Sequence, residues 1–291
     1  MALPMGVLTV YAALIVWAAL LWRGVLKRSF RLPLIFGIGL MLFLNIGYVI
    51  YGVSASIASF IGIYDVLINL GLVSADEAAA VSTCPDNACT VWGERFVNHS
   101  SWGTAFYDRF ANGPELRSTL LYSHIIFNSL VFVLMHVQLL RPGFREARAG
   151  HILLGRITFV FLTISLICAV WLASEHGAVP EYGGLAAQFG FYSMAAFVYG
   201  TAIMGIAAIR SGDIEKHSIW MFRFIGAMWG SFWLFRVALF VLDPLLRNVE
   251  AAAILIVIWG SAPAGIVIAE MVRRRLDTTA AQGTTGVVAA K

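Results

Sequence analysis

The run "HILLGRITFVFLTISLICAVWLASEH", residues 151–176, decides how the chain folds. From Ile152 to Ser174 its one charged residue is Arg156. A bilayer core roughly 30 Å thick takes about 20 apolar residues in a helix, because lipid offers nothing to pair with an open backbone. The run is long enough to cross, and it is polar at both ends, with His151 at one and Glu175 and His176 at the other.

Comparable runs fall at 5–22, 32–52, 118–140, 186–209, 218–242 and 251–272. The 291-residue chain is 60% hydrophobic and 12% charged, against about 25% charged in a soluble domain. The charges gather in short clusters between the apolar runs. This predicts an all-α, polytopic helical membrane protein with about seven transmembrane helices, a four-helix core and a long outer loop. Residues 54–72 contain Asp65 and follow the second run with almost no turn, so they read as lying at the interface. The first run reads as a retained helix rather than a signal peptide. Its basic residues Arg23, Lys27 and Arg28 follow it, and no small-residue cleavage site is present.

Orientation follows from Lys and Arg bias. One set of connections holds Arg23, Lys27, Arg28 and Arg31, then Arg141, Arg145 and Arg148, then Arg210 and Lys216, then Arg273, Arg274 and Arg275. The other holds Arg95, Arg109, Arg117 and Arg247 among many acids. The first set is read as cytoplasmic. That gives a multi-pass protein of the bacterial cytoplasmic (inner) membrane with its N-terminus outside and its C-terminus inside. The formal net charge of +4 follows this bias and points to no nucleic acid.

The chain divides into a hairpin (1–52), an extracytoplasmic region (53–117), a four-helix membrane core (118–242), a last helix (243–275) and a disordered tail (276–291). In "TCPDNACT", Cys84 and Cys89 read as a small disulfide loop in an oxidising compartment; the rival is a metal site with His99. Cys168 reads as a small core residue.

Polar residues inside the core carry the chemistry. His151 and His176 are 25 residues apart, which leaves them about 20° apart around one helix. His124, Asn128, Met135 and Gln138 form a stripe on the preceding helix, with His136 about 120° off it. Depth sorts the residues into an inner group of Gln138, His151, Arg156, His217 and Arg223, and an outer group of His124, Glu175, His176 and Arg236. Charge within a span is costly, about 2.5–3.5 kcal/mol at the helix centre on insertion scales. Arg223 lies near the edge and is explained by snorkelling. Arg236 is deeper and needs a carboxylate (Asp243 or, better placed, Glu175), backbone carbonyls or an anionic ligand.

Two neutral imidazoles from facing helices can ligate one iron, with arginines pairing the propionates. The leading expectation is therefore haem b and transmembrane electron transfer. His151 with His217 would ligate the inner iron, and His124 with His176 the outer one. His124, His151, His217, Arg156, Arg223, Arg236 and Gln138 are the candidate cofactor residues. Against this stands the absence of histidines 13–14 residues apart on one helix. The bland alternative is that edge histidines cap helices and meet headgroups while the arginines anchor the boundary. A further alternative is a non-redox binder or transporter for an anion or a quinone-like molecule, or a structural subunit of a membrane complex. The expected partners are the lipid bilayer with a quinone, a redox partner or complex subunits. No Walker, HExxH, GxSxG or CxxCH motif occurs, so nucleotide and hydrolase chemistry has no support.

The run "SHIIFNSLVFVLMHVQLLRPGFREARAGHILLGRITF", with "IRSGDIEKHSIWMFRFIGAMWGSFWLFR", resembles a family of bacterial predicted membrane proteins, the domain of unknown function numbered twenty-three-oh-six. The pattern matches at His124, Gln138, His151, Gly155, Arg156, His217, Trp220, Met221 and Arg223, with Arg236 as a second arginine. It covers about 118–242 and lacks the usual arginine beside His151. The resemblance implies a membrane fold and these polar positions. It implies no reaction.

Overall fold

A computed structural model describes residues 5–27, 29–43, 45, 49–50, 115–140, 148–174, 184–235, 237–238 and 250–288. Among them are seven helices and no strand: α1 (Met5–Lys27), α2 (Arg31–Phe43), α3 (Glu115–Leu140), α4 (Arg148–Ser174), α5 (Leu185–Arg210), α6 (Ile214–Met228) and α7 (Glu250–Val288). After Met228, α6 continues through a π-helical turn, Trp229–Leu234. Helices α3, α4, α5 and the Leu255–Arg275 part of α7 are each long and apolar enough to cross a membrane. The chain is a polytopic helical membrane protein. The interfacial segment 54–72, the Cys84–Cys89 loop, His99, Glu175, His176, Arg236 and Asp243 lie outside the described residues.

Helix α4 packs against α3 and α5, and α7 packs against both α5 and α6. Helices α5 and α6 are joined by a three-residue turn. Gly212 takes a left-handed φ of 81°, a conformation in which a Cβ is penalised. The Asp213 N–H reaches back to the Ala208 carbonyl at 3.0 Å, closing the end of α5 as a Schellman motif does. Asp213 then caps α6, its Oδ1 accepting from the Lys216 N–H at 2.8 Å.

Helices α6 and α7 approach closely where each carries glycine. A Cβ at Gly226 would strike the Gly265 backbone, and one at Gly265 would strike the Gly226 carbonyl. Small residues at a crossing let helix backbones touch where lipid gives no hydrophobic drive for association.

The core is apolar and aromatic, centred on Phe132, Leu162, Met228, Phe232 and Trp233. The α1–α2 hairpin closes one side of it. Trp17 donates from Nε1 to the Pro33 carbonyl at 3.0 Å and stacks on Trp229 at 6.0 Å. The outward faces carry Leu153, Val160, Ile167, Ile256 and Val267 exposed. That face is suited to lipid and would be a liability in water.

Candidate functional site

At their N-terminal ends, α4 and α6 bring His151 and His217 together. Their ring centroids are 6.4 Å apart with planes at 88°. His217 sits four residues past its cap, with its backbone N–H on the Asp213 carbonyl at 3.0 Å. Its ring Nδ1 lies 2.8 Å from the Gly205 carbonyl of α5. A carbonyl only accepts, so Nδ1 carries the proton and the Nε2 lone pair is the ring's remaining acceptor. A Cβ on Gly205 would strike the Met221 methyl. Glycine there is what lets Met221 and His217, one turn apart on α6, both lie against α5.

Gln138 approaches from α3. Its Nε2 donates to Thr158 Oγ1 at 3.2 Å and to the Leu134 carbonyl at 3.4 Å. Gly155, one turn from His151, faces the Gln138 Oε1.

The two inner arginines are turned elsewhere. Arg156 is exposed, about 140° around α4 from His151. Arg223 stands 4.6 Å over the Trp220 ring, and its Nε lies 3.5 Å from Glu270 of α7. Glu270 also takes Arg273 at 2.8 Å and Arg274 at 3.0 Å. Snorkelling alone is therefore not the whole account of Arg223; it has a carboxylate partner on another helix.

Toward the other end of the bundle, His124 clamps α3 to α4. Its Nδ1 donates to the Ser165 carbonyl at 3.0 Å, and Ser165 Oγ donates to the His124 carbonyl at 3.3 Å. Farther in lies His136, 2% exposed. Trp229 Nε1 donates to its Nε2 at 2.8 Å, so its proton is on Nδ1 and goes to the Phe132 carbonyl at 2.6 Å. Both ring nitrogens are engaged, which makes His136 a neutral packing residue of the aromatic core. On the α2 side, Asn45 Nδ2 donates to Ser129 Oγ at 2.8 Å.

Sequence spacing missed Glu270, because nothing on α6 signals an acid on α7. It also missed the His136–Trp229 bond, although a histidine opposite an aromatic run was the available signal. Among the described residues, no group of three or more His, Cys, Asp and Glu side chains converges as a metal site.

A four-helix assembly with its polar groups turned inward and its apolar faces outward is an integral membrane protein in contact with the lipid bilayer. Residues 121–273, more than half the chain, match the family described as Predicted membrane protein (DUF2306), and the chain belongs to it. The match runs past residue 242 and takes in the membrane-crossing part of α7. No curated protein and no solved structure matches the chain.

Proposed function

We propose that the protein holds a b-type haem between His151 and His217 and carries electrons within the membrane. The ring pair, 6.4 Å apart and near perpendicular, carries this reading. Two imidazoles on opposite sides of one metal, each bonded at about 2 Å, stand about 6 Å apart between ring centres. The Nδ1–H of His217 on the Gly205 carbonyl is the second bond that a ligating histidine ordinarily makes, and it orients Nε2. Haem, when bound there, supplies one-electron exchange. The chain's part is to hold and orient it: His151 and His217 as ligands, Gly205 as the positioning carbonyl. The imidazole donors fit. The arginine half of the expectation does not, since Arg223 is taken by Glu270.

The bias of Lys and Arg supports placing this pair on the cytoplasmic side. Thiol labelling tests that placement: Cys84 and Cys89 should react from outside after reduction, and labelling only from inside would reverse the orientation. The haem test is a spectrum from about 380 to 600 nm of detergent-purified protein made with ample haem, oxidised and reduced. A Soret band is expected, lost in both His151→Ala and His217→Ala. No band in the folded protein would sink the reading. It would then favour the competing one, a non-redox binder or transporter using the same residues.

A further inference from the structure

We infer a second binding site in the outer half of the bundle, between α3 and α6, for a lipid-soluble molecule with carbonyl oxygens on a flat ring, of the quinone class. Its anchors are the Trp233 indole N–H and the Asn128 amide.

Trp233 is 1% exposed, and its Nε1 is buried with no hydrogen-bond partner. Asn128, a polar side chain of α3, is 9% exposed. It lies in the middle of the buried face of α3, flanked by Ile125, Val131 and Phe132. Unpaired amides and indoles are costly inside a bilayer, where no bulk water substitutes. The unpaired Trp233 indole, with a mostly buried amide on α3 at its level, therefore calls for an explanation.

They also share a level. Phe132 of α3 packs on Trp229 and Phe232 of α6 at 5.0 and 5.2 Å. His136, one turn inward on α3, bonds Trp229. The two helices therefore run antiparallel, and one turn outward from the Phe132 contact brings Asn128 level with Trp233.

The chemistry selects the ligand. An indole N–H can only donate, and the amide NH2 donates as well. A molecule that presents acceptors at two places answers both, as the two carbonyl oxygens of a quinone do. The surroundings are aromatic: Trp233 meets Trp17 at 5.3 Å and Trp229 at 6.4 Å. Such walls suit the face or edge of a flat ring, and a ligand dissolved in the bilayer reaches the site from lipid. The site uses neither His151 nor His217, so it stands or falls apart from haem.

The test titrates a short-chain benzoquinone with one isoprenoid unit into detergent-purified full-length protein, following Tm and tryptophan fluorescence. The same tail on a ring without oxygens corrects for partition into the micelle. A saturable response to the quinone alone is expected. Asn128→Leu removes a polar group at similar shape, so it should fold about as stably as the parent without ligand. Trp233→Phe also leaves a cavity in the core, so a lower Tm is expected and its binding is read on protein shown to be folded. Each should bind the quinone about tenfold more weakly or worse. No saturable response in the parent, or unchanged binding in either folded variant, overturns the proposal. His151→Ala should leave the response intact; its loss there would place the quinone at the inner pair instead.

Discussion

His136 lies about 120° around α3 from the stripe of His124, Asn128 and Gln138, and that offset hides it from a pattern search. A helix covered on two flanks buries a broad face, and His136 occupies the flank that meets α6. Replacing it with Leu would leave the Trp229 N–H unpaired in the core. A loss of about 1–3 kcal/mol is expected, measured by unfolding in detergent. Trp229→Phe in the same background should recover part of it, because the orphaned donor is then gone. Ser261 gives the opposite sign. It is 4% exposed with its Oγ unpaired, so Ser261→Ala should be neutral or stabilising. Ser165, whose hydroxyl is used, should lose about 1 kcal/mol in the same change.

At the scale of elements, the α6–α7 crossing is set by what cannot be added. Gly265→Ala puts a methyl against the Gly226 carbonyl, and overpacking of this kind costs about 1–3 kcal/mol. A lower Tm is expected, and the Arg223–Glu270 contact should loosen with it. That contact gives a ranking. Glu270 is 16% exposed and faces three arginines, whereas Arg274 is 73% exposed. Glu270→Gln should destabilise clearly, since it leaves guanidinium groups facing one another. Arg274→Gln should stay within about 1 kcal/mol of the parent. Equal effects would mean that the carboxylate does not bind α6 to α7. The apolar runs at 118–140, 152–174 and 186–209 predicted α3, α4 and α5 closely, because apolar length is a local property. Which helices touch is not local. Arg223 and Glu270 are 47 residues apart in sequence, and only packing brings them together.

For the whole molecule, depth proved more readable than azimuth. Counting residues from the charged edges placed His151 and His217 at one level, and their rings do meet. The same counting grouped Arg156 and Arg223 with them by height, which left open what each touches. Arg156 points outward from the bundle and Arg223 points to α7. A depth estimate fixes height in the membrane but leaves rotation open, and for long side chains rotation decides the partner.

The π-helical turn at Trp229–Leu234 has a consequence for comparing chains. A turn of this kind holds one residue more than the α-helical path it replaces. Past it, the angular phase of α6 is offset by about 100°, so a strict 3.6-residue reading beyond Leu234 assigns faces wrongly. A relative one residue shorter between the Trp-Met-x-Arg motif and the second arginine can keep a plain α-helix there and still present the same face from Phe235 onward. Deleting Ser231 tests this directly: the turn should relax to a plain α-helix and the contact of Phe191 with Phe235, now 6.2 Å, should be kept, whereas its loss would mean that the turn does not absorb an extra residue.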